Sequence, residues 1–404
     1  MKSTTCLFLV SLALFITRDA TAQDATAVLP VSSPAFFFSP GNWTGDTGRG
    51  GSVSRQTWNP GAYFRVTWTT TSATPTAELL LDITAFGDKL KNPPELTYNI
   101  DGLWTSDVKC TGSIPIQGLT GAGAHTLTVY CSNSEQVERW GTAQASGINV
   151  VRVTGLKLNR DSTSVPAVPA KRWVLMVGDS ITEGIGAGIG KHDSLGSWAY
   201  FVGSALERMD YEYSVSACGW NGWLRPGDST GDVPPYYYAT AAAGSHDDAR
   251  SRWNKVDSRN SLLDARKRLS GYGGTGQEPA AILINLGTNE GLTNMPPADV
   301  QASVIGGLKA LQTAAPQAAI FVIIPFGQYA AAELKAAVAA SGGTGKISII
   351  DLGPSVAKGL TTNTFWGGIH PSMRAHATFG AQILAQVVGK LPAAAPASQP
   401  ISKR

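Results

Sequence analysis

The chain has 404 residues, 43% hydrophobic and 15% charged, with a formal net charge of +3. That length fits two domains better than one, and the composition describes a packed globular protein, not a disordered one. The small positive charge argues against nucleic acid or an anionic membrane surface as the partner.

The N-terminus opens with Lys2, a short apolar run over 7–16 and the small-residue sequence Ala20-Thr21-Ala22. This is the pattern of a secretory signal peptide over residues 1–22, cleaved before Gln23, and its apolar run is too short to span a bilayer. No other run approaches the ~18 apolar residues a membrane helix needs, so the expected product is soluble, exported and extracellular. In that setting Asn42-Trp43-Thr44 reads as a glycosylation acceptor at Asn42. Cys110 and Cys131 both lie in the strand-rich first half, and an oxidising compartment favours joining them, although spacing alone does not prove the pair. Cys6 leaves with the signal, and Cys218 is left over, read as a small buried hydrophobe.

From residue 23 to 159 the apolar pattern has a period of two and is often broken by turn residues. Examples are 63–68 (YFRVTW), 78–83 (ELLLDI), 125–130 (HTLTVY) and the closing stretch 148–158. Short strands at this spacing, without a helical pattern, predict an antiparallel sandwich of jelly-roll type. Residues 160–171, rich in Ser, Pro, Val and Ala, read as a linker.

Beyond it the pattern changes. A fully apolar strand is expected over 173–177, further strands over 211–217, 281–286, 319–325 and 347–352, and helices over 198–209, 300–314, 330–340 and 374–391. Strands without polar alternation, separated by helices, predict a parallel sheet covered on both faces over 172–391. Residues 392–404 read as a disordered Ala/Pro/Ser tail.

In such sheets ligands sit beyond the carboxyl ends of the strands. The first strand delivers Gly178-Asp179-Ser180 to a helix start, the second ends in Ala217-Cys218-Gly219-Trp220-Asn221-Gly222, the third in Gly287-Thr288-Asn289, and His370-Pro371 leads into the last helix. A serine hydroxyl becomes a nucleophile when an imidazole accepts its proton, so Ser180 and His370 are the candidate catalytic pair. Two other motifs are set aside as loops: 227–231 fits G-x-S-x-G and 271–276 fits G-x-G-x-x-G, but neither has the strand before and helix after that its chemistry requires. No His, Cys, Asp or Glu spacing points to a metal site.

These four pieces, in this order, resemble the four blocks of the SGNH (GDSL) hydrolase superfamily over the second half of the chain. The resemblance implies a three-layer, flavodoxin-like α/β domain and a serine esterase without cofactor. It implies Ser180 as nucleophile and His370 as base. The oxyanion hole it implies is made by the Ser180 N–H, the Gly219 N–H and the Asn289 side-chain amide. The superfamily usually carries Asp three residues before the histidine, whereas Gly367 stands here. A Ser–His dyad is therefore expected, with the imidazole held by a backbone carbonyl near Trp366, Asp351 being a poorer substitute. Signal, sandwich, hydrolase domain and dyad together resemble carbohydrate esterase family two, which implies deacetylation of plant cell-wall polysaccharide such as acetylated xylan, by a monomer. The aromatic stretch that follows Gly219 offers Trp220 and Trp223 as sugar-stacking faces, with Trp366 as a third; packing of a long loop is the alternative. Two rival functions remain open: a lipolytic enzyme of the same superfamily, and a carbohydrate-binding protein whose catalytic domain has decayed.

Overall fold

The computed structural model describes residues 26–47, 53–83, 93–135, 139–140, 149–170, 172–188, 191–224, 233–240, 246–257, 260–263, 278–342, 345–353, 365–366 and 368–391. Residues 1–22, expected as a signal peptide, the expected tail 392–404 and both set-aside motifs, 227–231 and 271–276, lie outside them.

Twelve strands precede the linker's end: β1 (Thr26–Pro30), β2 (Phe36–Phe38), β3 (Thr44–Thr47), β4 (Val53–Thr57), β5 (Tyr63–Thr70), β6 (Ala77–Leu81), β7 (Glu95–Ile100), β8 (Leu103–Lys109), β9 (Ile114–Pro115), β10 (Gly123–Asn133), β11 (Val151–Asn159) and β12 (Thr163–Val165). They form two antiparallel sheets of six strands each, one ordered β3-β4-β11-β6-β9 with β1 on β11, the other β12-β5-β10-β7-β8 with β2 on β5. The period-two reading explains the burial: Phe64, Val66 and Trp68 of β5 and Leu127 and Val129 of β10 point into one core with Leu79, Val153 and Leu156 from the other sheet. The result is an antiparallel sandwich. The residues expected to be a linker do more than connect, since β12 is an edge strand paired with β5.

Two expectations are corrected here. Cys110, Cys131 and Cys218 are all buried thiols and none is in a disulfide; Cys110 and Cys131 sit within the apolar sandwich core, where burial raises both thiol pKa values, that of Cys131 to about 12. Asn42 is not a surface acceptor: it is 1% exposed, and its amide nitrogen donates to the Val215 carbonyl at 2.7 Å while its Oδ1 accepts from Val215 N at 3.3 Å.

The second half forms a parallel sheet of β13 (Arg172–Gly178), β14 (Tyr211–Ala217), β15 (Ala281–Asn285), β16 (Ala319–Ile323) and β17 (Ile347–Ile350), ordered β14-β13-β15-β16-β17. Helices are α1 (Ser180–Glu183), α2 (Trp198–Glu207), α3 (Thr288–Leu292), α4 (Pro297–Ala314), α5 (Ala331–Ala340) and α6 (Met373–Val387), and β18 (Phe365–Trp366) pairs with β19 (His370–Pro371) outside the sheet. Alternate residues of β13 face different layers. Val174 and Met176 pack with Trp198, Val202 and Ile383 of α2 and α6, while Leu175 and Val177 pack with Val304 and Leu308 of α4. Both faces of β13 are therefore dry, which is why residues 173–177 read as an unbroken apolar run.

The sandwich is joined to this unit along β14, the edge strand. The Asn42 side chain pairs with the Val215 main chain as a further strand does, covering part of an otherwise open edge. Tyr63 Oη donates to Glu212 Oε2 at 2.5 Å, and Arg65 pairs with Glu212 and with Glu207, the latter at 3.3 Å. Phe37, Tyr63 and Tyr130 belong to the same apolar cluster as Tyr213 and Val215. Burial pushes the Glu207 carboxyl up to about 7 against the pull of Arg65.

Candidate active site

The sheet reverses its winding direction at β13, since β14 lies on one side and β15 on the other. The crevice outside the carboxyl ends at such a switch point is where open α/β sheets bind ligands. Register makes the three ends level: Gly178 pairs with Ala217 and with Asn285. The segments that follow, bearing Ser180, Gly219 and Asn289, therefore leave the sheet side by side.

Each side chain is placed by local chemistry. Asp179 caps α1, its Oδ1 accepting from Ile181 N at 2.9 Å, which puts Ser180 at the first helical position. Gly178 lets the chain fold back sharply: a Cβ there would collide with the Thr182 side chain. His370 opens β19, two residues before Ser372, which caps α6 by accepting from Ala375 N. The result is a hydrogen bond of 2.8 Å between His370 Nε2 and Ser180 Oγ, both half-buried. The residues are 190 positions apart in sequence, and only the fold joins them.

Asn289 lies in α3, 3% exposed, with its amide against Asp179, the residue before Ser180. Its Nδ2 donates to the Asn221 carbonyl at 3.2 Å and reaches Asp179 Oδ2 only at 3.5 Å. Both neighbours are acceptors, which fixes the orientation of the amide. One proton is held by Asn221, and the other is bound too weakly to be withheld from a stronger acceptor. Gly219 is buried in the turn after β14. Gly222 in the same loop has no room for a Cβ, which would strike the Glu290 carboxylate; Glu290 in turn accepts from Leu224 N at 3.0 Å.

Burial pushes the Asp179 carboxyl up to about 7, with nearby Glu290 adding to the effect and the Ile181 N–H, Thr288 and Arg252 opposing it. Asp351 turns its carboxylate elsewhere, accepting from Lys335 at 2.7 Å, Gln328 at 3.0 Å and Gly353 N at 2.8 Å. Among the described residues no group of three His, Cys, Asp or Glu side chains is placed to hold a metal ion.

The aromatic residues divide. Trp220 is 49% exposed and follows Gly219 directly, in the left-handed region with φ 59°. Trp223 is 0% exposed, edge-on to the buried Tyr237 ring at 5.3 Å, and so packs the core instead of facing a substrate. This corrects its reading as a stacking face. Trp366 pairs with His370 in register, and its side chain lies outside the described ones. Arg252 and Asn221 are both buried; Arg252 lies in no motif, and Asn221, although within the piece that follows β14, is given no role by the sequence.

The arrangement has a central part for acyl transfer, an imidazole within hydrogen-bond reach of the hydroxyl whose proton it would take. The model of the GDSL-like lipase/acylhydrolase family matches residues 176–378, just over half of the chain and all four strand-end pieces. A search of curated proteins by sequence finds no match. Among solved structures, a family two carbohydrate esterase from Cellvibrio japonicus superposes with a TM-score of 0.63 at 16% identity, covering 90% of this chain and 98% of that one. An acetyl xylan esterase, Est2A, from the rumen bacterium Butyrivibrio proteoclasticus gives 0.61 at 14% identity, with coverage of 90% and 98%. A salicylyl-acyltransferase, SsfX3, from a tetracycline biosynthetic pathway gives 0.59 at 12% identity, with coverage of 91% and 98%. At these identities the likeness is one of fold, extending over both halves of the chain.

Proposed function

The chain belongs to the GDSL-like lipase/acylhydrolase family, and on that premise we propose that it is an exported serine esterase that removes O-acetyl groups from plant cell-wall polysaccharide. The observation that carries the reading is the 2.8 Å contact between His370 Nε2 and Ser180 Oγ at the level ends of three strands. His370 takes the proton as Ser180 Oγ attacks the acetyl carbonyl, and the oxyanion is received by the Ser180 and Gly219 N–H groups and by Asn289 Nδ2. His370 returns the proton to the departing sugar oxygen. Water then attacks the acetyl-enzyme with His370 again as base, releasing acetate and restoring Ser180. None of these steps calls for a cofactor.

The polysaccharide assignment draws on the fold likeness to family two carbohydrate esterases and on Trp220, an exposed aromatic face next to Gly219 suited to stacking on a sugar ring. Export draws on the signal pattern of residues 1–22.

The test uses wild type and Ser180→Ala on p-nitrophenyl acetate, p-nitrophenyl octanoate and acetylated xylan, with acetate release measured. Wild type is expected to favour acetate over octanoate and to release acetate from xylan, and Ser180→Ala to fall to background. Faster octanoate cleavage points to a lipolytic enzyme, and xylan binding without turnover to a decayed one. Full activity in Ser180→Ala ends the reading.

A further inference from the structure

The most heavily engaged charge near the site belongs to no motif. Arg252 lies in the segment after β14, 1% exposed, and its guanidinium reaches three elements at once. Nη2 donates to the Gly178 carbonyl at 2.9 Å, the last residue of β13 and two before Ser180. Nε donates to Asn221 Oδ1 at 2.5 Å, and Nη1 to the Ser216 carbonyl and hydroxyl at 3.5 and 3.4 Å. The cation also lies 5.3 Å from the Tyr237 ring centre.

Each contact leads to one of the three candidate oxyanion donors. Gly178 precedes the turn that presents the Ser180 N–H. Ser216 and Asn221 bracket the turn that presents the Gly219 N–H. Asn221 also supplies the carbonyl that fixes the Asn289 amide, so the guanidinium reaches Asn289 through a single residue. Lysine has one compact ammonium and lacks this planar fork of donors, so it cannot bind three separate acceptors along their own directions. Burying a cation is costly, and burial lowers the Arg252 pKa. A cation kept there against that cost lies close to the place where negative charge develops in acyl transfer.

On the esterase reading above, we propose that Arg252 is a positioning residue that holds the Ser180, Gly219 and Asn289 donors in one geometry and supplies a buried positive charge beneath the oxyanion. The residue touches no substrate. Its effect is therefore expected in the chemical step and not in binding.

The loop does not depend on this side chain for its path. Arg252 N donates to the Tyr236 carbonyl, Trp253 N to that of Tyr237, Tyr237 N to that of Gly222 and Tyr238 N to that of Trp223, all at 3.0 Å, a main-chain ladder that survives truncation at position 252. Arg252→Ala and Arg252→Lys are therefore assayed on p-nitrophenyl acetate beside wild type, Ser180→Ala and Asn221→Ala, with circular dichroism as the control for folding. Arg252→Ala is expected to lose roughly 10²-fold in kcat, the scale of a lost oxyanion donor, with KM within about threefold of wild type, an order-of-magnitude bound for a group that does not touch substrate. Millimolar guanidinium chloride is expected to restore part of that kcat in Arg252→Ala and to do nothing for Ser180→Ala. Arg252→Lys, which keeps the charge and loses the fork, is expected to fall between. Asn221→Ala is expected to lose about tenfold or more in kcat at unchanged KM, on the same scale.

A folded Arg252→Ala with wild-type kcat overturns the proposal, as does a loss that appears in KM or does not respond to guanidinium. If Arg252→Ala fails to fold, Asn221→Ala decides, and wild-type turnover there overturns it. Failure of the esterase reading shows elsewhere, as a wild type without Ser180-dependent turnover, and that result overturns both.

Discussion

Trp220 holds a backbone conformation that bulky L-residues avoid, with φ 59° and its ring half in solvent. Strain of this kind costs on the order of 1–3 kcal/mol and persists where something else requires the residue. Glycine takes the same backbone without that cost. Trp220→Gly is therefore expected to raise stability by ~1 kcal/mol in a denaturant titration. It should leave turnover of p-nitrophenyl acetate unchanged and raise KM for acetylated xylan severalfold. A variant with wild-type KM on xylan removes Trp220 from the substrate site. Side chains at the ends of elements were open to reading from sequence: Ser180 follows an unbroken apolar run, and His370 stands just before a helix cap. Trp223 was not. An aromatic residue directly after a loop glycine has equal local grounds to face in or out, and only the Tyr237 ring packed against it settles that. Arg252 has no local signature, because its partners come from β13, from β14 and from the loop after β14, up to 74 residues away.

At the scale of the element, α1 is only four residues long and cannot stand by itself. Its start is held by Asp179, and its end by Glu183, whose Oε1 accepts from the buried Arg139 guanidinium of the sandwich half. The Asp179 cap has a consequence for pH. Burial raises its folded pKa to about 7 from the 3.8 of an exposed aspartate, so the fold binds that proton more tightly than the unfolded chain does. The stability this supplies is complete below pH ~4 and is lost as pH rises through ~7. Asp179→Asn keeps a good capping side chain and fixes the neutral state. Its stability relative to wild type is expected to rise between pH 4 and 7, by at most ~1.4 kcal/mol per pH unit, measured by urea titrations at pH 5 and 8. A difference that stays constant shows that the carboxyl titrates normally. Helices and strands in this half were legible because each strand is dry on both faces and each helix keeps one apolar stripe. The antiparallel pair β18 and β19, two residues each, offers no periodicity to detect.

Across the whole molecule, periodicity tells which residues are buried but not what they are buried against. Phe37, Tyr63 and Tyr130 read as ordinary sandwich positions, yet they share a core with Tyr213 and Val215 of the hydrolase sheet. Asn42 read as a surface acceptor because the sequon Asn42-Trp43-Thr44 is blind to tertiary partners, and in the fold it is bonded to both polar groups of Val215. Residues 160–171 read as a spacer, yet β12 joins a sandwich sheet and Ala170 N donates to Glu212 at 3.0 Å. Two halves joined by a shared apolar cluster and buried polar contacts should not unfold separately. Opening the seam exposes the β14 edge, the aromatic cluster and the Arg139–Glu183 pair together, and losing one member of a buried ion pair alone costs ~3–5 kcal/mol. Calorimetry of the chain is therefore expected to give one transition with equal calorimetric and van't Hoff enthalpies. Asn42→Ala leaves a buried N–H and a buried carbonyl at Val215 without their partner, at about 1–3 kcal/mol each. It is expected to lower that single transition by several degrees without splitting it. Two resolved transitions, or an Asn42→Ala protein as stable as wild type, contradict a seam that folds as one unit with the catalytic sheet.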